Sequence, residues 1–396
     1  MTITLTPEQS RAQDAVAAWL RDRSKPYFVL HGLAGTGKTT LAKHFAAQQS
    51  GVTLFGAYSG KAAEVLTRKG CPAQTLHSLI YKPTHERNAE LVALRKELAE
   101  CSDDAKERRL RRQIEALSQP KFVLNEASRL RNAALLIVDE VSMCSAELAA
   151  DLLHFKVPLL VLGDPGQLPP IEGAGFFNQN PDFVLQEIHR QAAESPIIKL
   201  AMAARAGQAL KRGDFPGPGG TSLVRYRKEM TADLCKNIEQ IVCGSNKARL
   251  ELNGDMRAAR GFGGIFPQKG ERLICLRNNP EQGLLNGQIL TTSSDTRVSE
   301  NKLTIFFEET GGQEIDIHRA CFEAPHKLKG VDYRLRAKLN EFDFAAAVTA
   351  HKAQGSSWRE VLVWADMWRW HAAHETFARW AYSAITRAED RVVVAL

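Results

Sequence analysis

The residues with the clearest chemical meaning lie in a glycine-rich turn between an apolar run and a segment with helical periodicity. Gly32, Gly37, Lys38 and Thr39 complete the spacing GxxxxGKT within YFVLHGLAGTGKTTLAKHFA. Glycines let the backbone curl so that successive N–H groups face a phosphate, and the N-terminus of the following helix adds positive potential. Lys38 can then reach the β- and γ-phosphates, while the Thr39 hydroxyl can bind Mg²⁺. The pattern predicts a nucleoside triphosphate site; the alternative is a glycine turn that merely caps an ordinary helix.

Two further apolar runs are followed by polar side chains. Asp139 and Glu140 follow ALLIV, and Asp164 and Gln167 follow PLLVLG. Buried parallel strands present the residues at their carboxyl ends along one edge of the sheet. Asp139 fits a ligand in the Mg²⁺ shell, and Glu140 fits a base that orients the attacking water. We therefore expect a parallel sheet of the P-loop type; the alternative is that these acids are loop caps.

Three other stretches could serve the same chemistry. Ser59 and Lys61 fall at the predicted N-terminus of a helix in AYSGKAAEVL, a second place suited to a phosphate. Gln9 precedes the glycine-rich turn, and its amide could bind adenine, but spacing alone favours a solvated helix residue. His77 in AQTLHSLIY is a lone histidine, a kind of residue that is more often structural than functional.

The elements that must position these residues alternate between helices and strands. Residues 6–23 predict a helix that starts at Thr6-Pro7. Residues 82–121 are dense in both charge signs and predict two short helices, an insertion with little core of its own. Residues 212–220 (RGDFPGPGG) have the composition of a linker, and a second α/β stretch follows. Residues 268–335 predict short strands and a small barrel, with a hairpin signal at Asn286-Gly287, before the α/β pattern returns.

Length, composition and charge limit the class of protein. The chain has 396 residues, enough for two or three domains, and 44% of them are apolar. The net charge of +7 is compatible with a polyanion as partner, although phosphate-handling enzymes can also be basic. Seven cysteines without a C-x-x-C pair argue against a disulfide framework or a zinc site and indicate a cytoplasmic setting. No secretory signal pattern and no apolar run of about 18 residues is present, so we expect a soluble protein that does not enter a membrane.

Taken in order, these stretches resemble the motifs of superfamily 1 DNA helicases, in the branch that contains RecD-like and phage Dda-like enzymes. The resemblance covers nearly the whole chain. It consists of GLAGTGKT as motif I, AYSGKAAEVL as motif Ia, TLHSLIY as motif Ib, VDEVSM as motif II, GDPGQLPP as motif III, EIHRQ as motif IV, VTAHKAQGSSW as motif V and YSAITRAEDRVVV as motif VI. Several motifs in the right order are far more specific than any one of them.

The resemblance implies that ATP and Mg²⁺ bind between two RecA-like folds. The catalytic set that it implies is Lys38, Asp139, Glu140, Gln167, Arg190 and Arg387. Gln167 would sense the γ-phosphate, and the two arginines would be arginine fingers from the second fold. LTPEQ resembles the family's adenine-binding motif. The resemblance therefore implies that Gln9 binds adenine and is not merely a solvated helix residue. The implied nucleotide-binding residues are Gln9, Gly32, Gly35, Thr36, Gly37, Lys38, Thr39, Thr40 and Gly355, with Thr39 and Asp139 at the metal.

The resemblance also implies that single-stranded DNA and duplex fork DNA are partners. The positions that match the family's single-strand track are Ser59, Lys61, His77, Thr349 and His351. Gln354 and Gly355 would link that track to the nucleotide. ATP hydrolysis would open and close the cleft and move the protein 5′→3′ along the strand. We expect a monomer in the cytoplasm of a bacterial or phage-infected cell, with a single-strand-binding or replication protein as a potential partner.

The implied domains follow the order of the motifs. The first motor domain would comprise 1–81 and 122–187, with a charged helical insertion at 82–121. The second would comprise 188–267 and 336–396, with an SH3-like β-barrel inserted at 268–335. The first insertion is often a β-hairpin pin in this branch, whereas its sequence has a helical pattern here, which leaves open how this protein splits duplex DNA.

Three other functions stay open at this point. The chain could be a DNA-stimulated ATPase that translocates without unwinding alone, as a subunit of a recombination or nuclease complex. It could be an ATP-gated module that binds single-stranded DNA. A P-loop kinase of small molecules is the third alternative, but it has no need for arginines from a second α/β half.

Overall fold

The computed structural model describes residues 5–84, 121–141, 144–169, 175–178, 180–188, 193–325, 338–367 and 375–396, together with residue 328 and single residues or short runs between 93 and 113. Two six-stranded sheets dominate this part of the chain. The predicted α/β class and the parallel sheet are confirmed. None of the described helices has the length and apolar composition that a bilayer crossing requires.

The first half of the chain forms the first sheet and its helices. In order, its elements are α1 (Pro7–Asp22), β1 (Tyr27–Gly32), α2 (Lys38–Gln48), β2 (Thr53–Ala57), α3 (Gly60–Arg68), β3 (Ala73–Thr75), α4 (Leu76–Ile80), β4 (Tyr81–Thr84), β5 (Lys121–Leu124), β6 (Leu135–Asp139), α5 (Ala146–His154), β7 (Leu159–Gly163) and β8 (Phe183–Leu185). The strand order is β3-β2-β6-β7-β1-β8, and all neighbouring strands are parallel. The four central strands consist almost entirely of buried residues, as expected for a sheet covered on both faces.

The register of this sheet determines which residues share an edge. Ala57 in β2 is paired with Asp139 in β6, and His31 in β1 is paired with Gly163 in β7. The glycine-rich turn after β1, the acids after β6 and the loop after β7 therefore leave the sheet at the same edge. Helix α1 is close to its predicted bounds, and it starts with a capping box in which Thr6 and Gln9 bond each other's backbone.

The second half forms the second sheet and a set of short strands. In order, its elements are α6 (Pro196–Arg205), β9 (Gly213–Phe215), β10 (Ser222–Arg225), α7 (Ala232–Cys235), β11 (Gln240–Cys243), α8 (Asn246–Ala259), β12 (Arg272–Cys275), β13 (Ile289–Thr291), β14 (Arg297–Val298), β15 (Lys302–Phe306), β16 (Glu314–His318), α9 (Ala320–Glu323), β17 (Phe342–Phe344), β18 (Ala347–Thr349), α10 (Ala350–Ala353), β19 (Trp358–Trp364), α11 (Glu375–Ile385) and β20 (Ala388–Ala395). The sheet order is β18-β11-β19-β20-β10-β9, parallel except for the last pair. Part of the predicted linker, Gly213–Phe215, is thus the antiparallel edge strand β9; an edge position tolerates neighbouring glycine and proline.

The short strands β12–β17 form two three-stranded antiparallel sheets around one apolar cluster. The predicted hairpin signal Asn286-Gly287 lies in the connection between β12 and β13, which spans residues 276–288 and contains a 3-10 turn at Pro280–Gln282, so it is not a two-residue hairpin turn; Gly287 has a φ of 85°. Strand β17 pairs with β12, so this unit includes residues beyond 335. Its likeness to an SH3 barrel stays a prediction.

The predicted helical insertion is entered and left through a two-stranded ribbon. Strands β4 and β5 pair antiparallel from Tyr81↔Leu124 to Thr84↔Lys121, so both ends of 82–121 are strand and not helix. Between them, the residues that the structure describes are mostly helical, and Lys106 forms an ion pair with Glu97 at 2.9 Å. Most of 86–117 lies outside the described residues, and the helical insertion stays a prediction.

Candidate nucleotide and nucleic-acid site

The glycine-rich turn between β1 and α2 has the backbone that its sequence predicts. Gly35 and Gly37 have φ values of 81° and 83°, in the left-handed region that glycine adopts without strain. A Cβ added to Gly32 would lie 2.5 Å from the Thr36 Oγ1. Glycine is therefore required at each of these positions for the turn to close.

Lys38 begins α2 and folds back over this turn. Its Nζ donates hydrogen bonds to the carbonyl oxygens of Gly32 and Leu33, the second at 3.1 Å. The Nζ also lies 3.9 Å from Asp164 Oδ2, and the lysine side chain is 14% exposed. The ammonium is thus held at the centre of the loop by oxygen atoms, which is the environment that a phosphate would also provide.

Asp139 ends β6, and Glu140 follows it in a strained backbone conformation. Glu140 has a φ of 57°, which is uncommon for a residue other than glycine. Its N–H donates to Asp139 Oδ1 at 2.8 Å, which fixes the first carboxylate. Burial raises the pKa of both acids, and the nearby positive charges of Lys38 and Arg387 counteract this effect. The two carboxylates therefore favour an additional positive charge beside them.

A cavity of about 550 Å³ brings the predicted groups together. Its walls include Gly35, Gly37, Lys38, Thr39, Thr40, Asp139, Glu140, Gln167 and Arg387. The first eight belong to the first sheet and its loops, whereas Arg387 precedes β20 of the second sheet. Thr39 and Asp139 are the residues that could hold Mg²⁺ here, because a hydroxyl and a carboxylate of this kind share the cavity with Lys38. The nucleotide site is thus built from both halves of the chain.

Other predicted nucleotide-binding residues support the loop from outside the cavity wall. Gln9 is 3% exposed; its Oε1 accepts from Thr6 N at 3.1 Å and its Nε2 donates to Thr36 O at 3.1 Å. Thr36 is 1% exposed, and its hydroxyl donates to Leu33 O at 2.8 Å. Gln9 therefore joins α1 to the turn, and its contact with adenine stays a prediction.

Arg387 is buried at the boundary of the two halves. Its guanidinium donates to the carbonyl oxygens of Ser383 at 3.0 Å and Ser356 at 3.2 Å. These bonds orient the side chain beside Glu140, whose pKa it lowers against the effect of burial. Arg190, the other predicted arginine finger, lies outside the described residues.

The loop after β7 is bound to the second half of the chain. Leu168 N donates to Ser383 Oγ at 2.8 Å, and Gln354 Nε2 donates to Leu168 O at 3.1 Å. Gln167 directly precedes Leu168 and lines the cavity, and its Oε1 is buried without a hydrogen-bond partner among the described residues. The loop that carries Gln167 therefore contacts both the cavity and the second half of the chain.

The predicted single-strand track consists mainly of helix starts. The hydroxyl of Ser59 caps α3 by accepting from Ala62 N at 3.1 Å, and that of Thr349 caps α10 by accepting from Lys352 N at 3.4 Å. Each hydroxyl keeps its own hydrogen for donation. Gly355 brings the two helices together, because a Cβ there would lie 2.9 Å from Ala62 Cβ and 3.2 Å from Ser59 Oγ.

The remaining residues of the predicted track, Lys61, His77 and His351, are not helix caps. Lys61 forms an ion pair with Glu64 at 3.0 Å, and the ring of His77 lies 6.0 Å from that of Tyr58. Burial lowers the pKa of both His77 and His351. The lowered pKa favours the neutral form of both histidine rings.

Sequence reasoning did not find three residues of this region. Lys43 and Lys69 line the cavity. Lys43 is four residues after Thr39 on α2, a spacing that places both on one face and could have indicated it. Lys69 follows α3 and is brought in by tertiary packing, so no local pattern marks it. The third residue, Tyr382, lies on α11 and contacts the turn after β1.

The sequence is similar to two protein families and to a known helicase. A family model described as an AAA domain matches residues 4–215, and one described as a UvrD-like helicase C-terminal domain matches residues 344–395. The ATP-dependent RecD2 DNA helicase of Deinococcus radiodurans is 28% identical over 284 residues, which are 65% of this chain and 35% of that protein. The chain therefore spans about a third of the length of this curated relative.

Solved structures with a similar fold include Pif1 helicases. A structure of two coordinating Pif1 helicases unwinding forked double-stranded DNA has a TM-score of 0.53 at 18% identity, over 99% of this chain and 92% of that one. Pif1 from Bacteroides in complex with ADP-AlF3 and single-stranded DNA has a TM-score of 0.53 at 16% identity, with the same coverage. At these identities the likeness establishes the fold.

Proposed function

We propose that this chain, which belongs to the AAA domain family, is an ATP-dependent DNA helicase of superfamily 1, similar to the RecD-like and Pif1-like enzymes. The resemblance predicted from the motifs is confirmed by these matches. The observation that carries the proposal is the cavity in which Lys38, Asp139 and Glu140 of one sheet face Arg387 of the other.

We assign the hydrolytic roles from this arrangement. Lys38 would bind the β- and γ-phosphates, and Thr39 and Asp139 would hold Mg²⁺, which supplies charge neutralisation when it is bound. Glu140 would orient the attacking water and accept its proton, since it is the second carboxylate at the same strand end. Gln167 would sense the γ-phosphate from the loop that also contacts the second sheet.

Movement along DNA would arise because the two sheets share the nucleotide site. A γ-phosphate attracts Arg387, and Arg190 by the family's pattern, so the two sheets approach each other when ATP is bound. Hydrolysis removes that attraction. Ser59 and Gly355 touch across the same boundary, so opening and closing would change the spacing of the two halves of the strand track. Alternating grip would then move the protein along single-stranded DNA, 5′→3′ by the family's example.

The other elements have proposed roles in strand separation. We propose that the two sheets are motor domains with the bounds 1–81 with 122–187 and 188–267 with 336–396, except that β17 belongs to the inserted unit through its pairing with β12. The charged insertion at 82–121 would hold duplex DNA at the fork, and the unit at 268–335 would be the SH3-like insertion. The chain's net charge of +7 suits a nucleic-acid partner.

A strand-displacement assay tests this proposal. Duplexes with a 5′ tail, a 3′ tail or no tail are mixed with the protein, with and without ATP and Mg²⁺. We expect ATP-dependent separation of the 5′-tailed duplex, and little separation of the blunt or 3′-tailed one. Separation of the 3′-tailed duplex alone would contradict the polarity. Efficient movement on single strands without separation of any duplex would favour a translocase that does not unwind alone.

A further inference from the structure

Tyr382 is the one side chain of the described second sheet and its helices whose hydroxyl bonds the backbone of the phosphate-binding turn. It lies on α11, is 0% exposed, and is five residues before Arg387. Its hydroxyl oxygen accepts a hydrogen bond from Ala34 N at 2.7 Å. The same hydroxyl donates to Asp164 Oδ2 at 2.9 Å. One oxygen atom thus joins two loops of the first sheet to the helix that leads to Arg387.

The direction of these bonds is fixed by chemistry. A backbone N–H can only donate, so the hydroxyl must accept from Ala34 and its single hydrogen must point to Asp164. Burial, together with the charge of Asp164, raises the pKa of Tyr382, so the hydroxyl keeps this hydrogen throughout the ordinary pH range. The other carboxylate oxygen, Oδ1, accepts from Gly166 N at 2.8 Å. Asp164 is therefore held at both oxygens.

Asp164 connects this network to the phosphate-binding lysine. Its Oδ2 lies 3.9 Å from Lys38 Nζ, which is longer than a direct hydrogen bond. Because Tyr382 donates to this same oxygen, it competes with Lys38 for the carboxylate. The hydroxyl keeps Asp164 aligned with Gly166 and leaves the ammonium available to a phosphate.

The ring of Tyr382 is held in place by the loop after β7. A Cβ added to Gly166 would lie 2.6 Å from the ring atom Cε1, so the loop after β7 fits directly against the ring. Arg205 of α6 donates to Pro165 O at 3.3 Å, on the same loop. The ring of Tyr382 packs against the loop after β7, whereas its hydroxyl makes the two polar contacts with loops of the first sheet.

We infer that Tyr382 is a positioning residue for ATP hydrolysis, whose hydroxyl fastens the segment carrying Arg387 to the phosphate-binding turn and to Asp164 at the same time. The inference rests on the proposed function. Because Arg387 follows α11 directly, an error in the placement of this helix becomes an error in the placement of the guanidinium. Tyr382 itself need not touch ATP.

Tyr382→Phe tests the inference, because it removes the hydroxyl and keeps the ring. At saturating single-stranded DNA we expect kcat for ATP to fall about tenfold, the effect of losing a hydrogen bond to a charged group. The KM for ATP should stay within about twofold, since an interaction that matters only in the transition state lowers kcat and kcat/KM equally. An unchanged kcat, or a change confined to KM, would overturn the inference.

Tyr81→Phe is the matched control. Tyr81 donates its hydroxyl hydrogen to Asp151 on α5, so this variant loses the same kind of bond outside the nucleotide cavity. We expect both variants to unfold cooperatively and only Tyr382→Phe to lose kcat. An equal loss in the two would indicate general destabilisation and would overturn the assignment.

Hydrogen exchange separates this inference from the proposed function. Loss of the acceptor for Ala34 N–H should speed deuterium uptake in a peptide covering 33–37 in Tyr382→Phe, while a peptide covering β2 keeps its uptake. This result is expected even if the protein shows no response to DNA, which would count against the proposed function alone. Unchanged uptake at 33–37 would overturn the inference.

Discussion

At the scale of single residues, Lys38 is expected to act through its charge and not through packing. Its ammonium is surrounded by loop carbonyls and Asp164, and no apolar cluster depends on it. Lys38→Ala should therefore lower ATP turnover by at least about 10²-fold while leaving a folded protein. Steady-state ATPase and thermal unfolding check this, with Lys247→Ala as control, because Lys247 is 86% exposed on α8. A Lys38→Ala protein with parental turnover would contradict the phosphate assignment.

Substitution of Glu140 is expected to affect ATP hydrolysis and not ATP binding. Glu140→Gln keeps the shape of the side chain and removes its charge and basicity. Binding of ATP should persist, while hydrolysis should fall by about 10²–10⁴-fold, the range for loss of a general base. Equilibrium nucleotide binding and single-turnover hydrolysis measure the two effects. Normal turnover by this variant would assign the base role to another group.

Arg387 is expected to act on the rate more than on affinity. Arg387→Ala should slow hydrolysis about 10³-fold, the lower end for arginine fingers, and should weaken nucleotide binding less. Arg391→Ala is the control, because Arg391 lies four residues later and donates to Thr221 O away from the cavity. A change confined to affinity would show that Arg387 binds only ground-state phosphate.

The motif residues could be found from the sequence because their chemistry depends on local spacing. Gly35, Gly37 and Lys38 belong to one turn, and Asp139 and Glu140 end one strand. Lys69 and Tyr382 could not be found in this way, since their positions beside the cavity and the turn depend on packing between segments far apart in the chain. The strained φ of Glu140 also has no local signal, because glutamate disfavours that conformation.

At the scale of elements, the contact between α3 and α10 depends on Gly355. Its φ of 74° and the 2.9 Å approach of a Cβ to Ala62 both disfavour any other residue. Gly355→Ala should destabilise the protein by about 1–3 kcal/mol from backbone strain and should also weaken single-strand binding. Gly207→Ala is the matched control, because Gly207 has a φ of 69° and nothing within 4 Å of an added Cβ.

Urea unfolding and single-strand binding distinguish these two variants. Both should lose stability from strain, and only Gly355→Ala should lose affinity for single-stranded DNA. Equal affinity in both would show that the contact between α3 and α10 has no role in the strand track.

The charged insertion is expected to act in strand separation. Replacing residues 86–117 with a short Gly/Ser loop should spare the β4–β5 ribbon, the fold and DNA-stimulated ATPase. Unwinding of tailed duplex should fall much further than translocation on single strands. Lys106 and Arg109 belong to a basic run from 106 to 112 that could hold duplex phosphates. Parental unwinding by the shortened protein would remove the insertion from strand separation.

Helices and strands could be predicted where one hydrophobic pattern dominated the local sequence. Continuous apolar runs predicted the central strands β1, β6 and β7, and α1 followed its cap and proline. The ribbon β4–β5 and the edge strand β9 were not predicted. Each depends on pairing with a distant segment, and the local composition of charge, glycine or proline favours a loop.

At the scale of the whole molecule, the proposed mechanism requires one nucleotide site shared by two sheets. The order of the sequence motifs implied two α/β folds, but the contacts that join them could not be predicted. Leu168 bonds Ser383 and Gln354, and Ala34 bonds Tyr382. The partners in these bonds are 186 to 348 residues apart in the sequence. Such contacts follow from the assembled fold and have no local pattern.

The most direct test of this account is the rate of ATP hydrolysis measured against the concentration of single-stranded DNA at several salt concentrations. We predict strong stimulation by DNA, with an apparent affinity that falls as salt rises. If the track touches about five phosphates, the slope of log K against log[salt] should be about −3.5. Turnover that is independent of DNA, together with an affinity that does not change with salt, would contradict the account and would favour a P-loop enzyme acting on a small molecule.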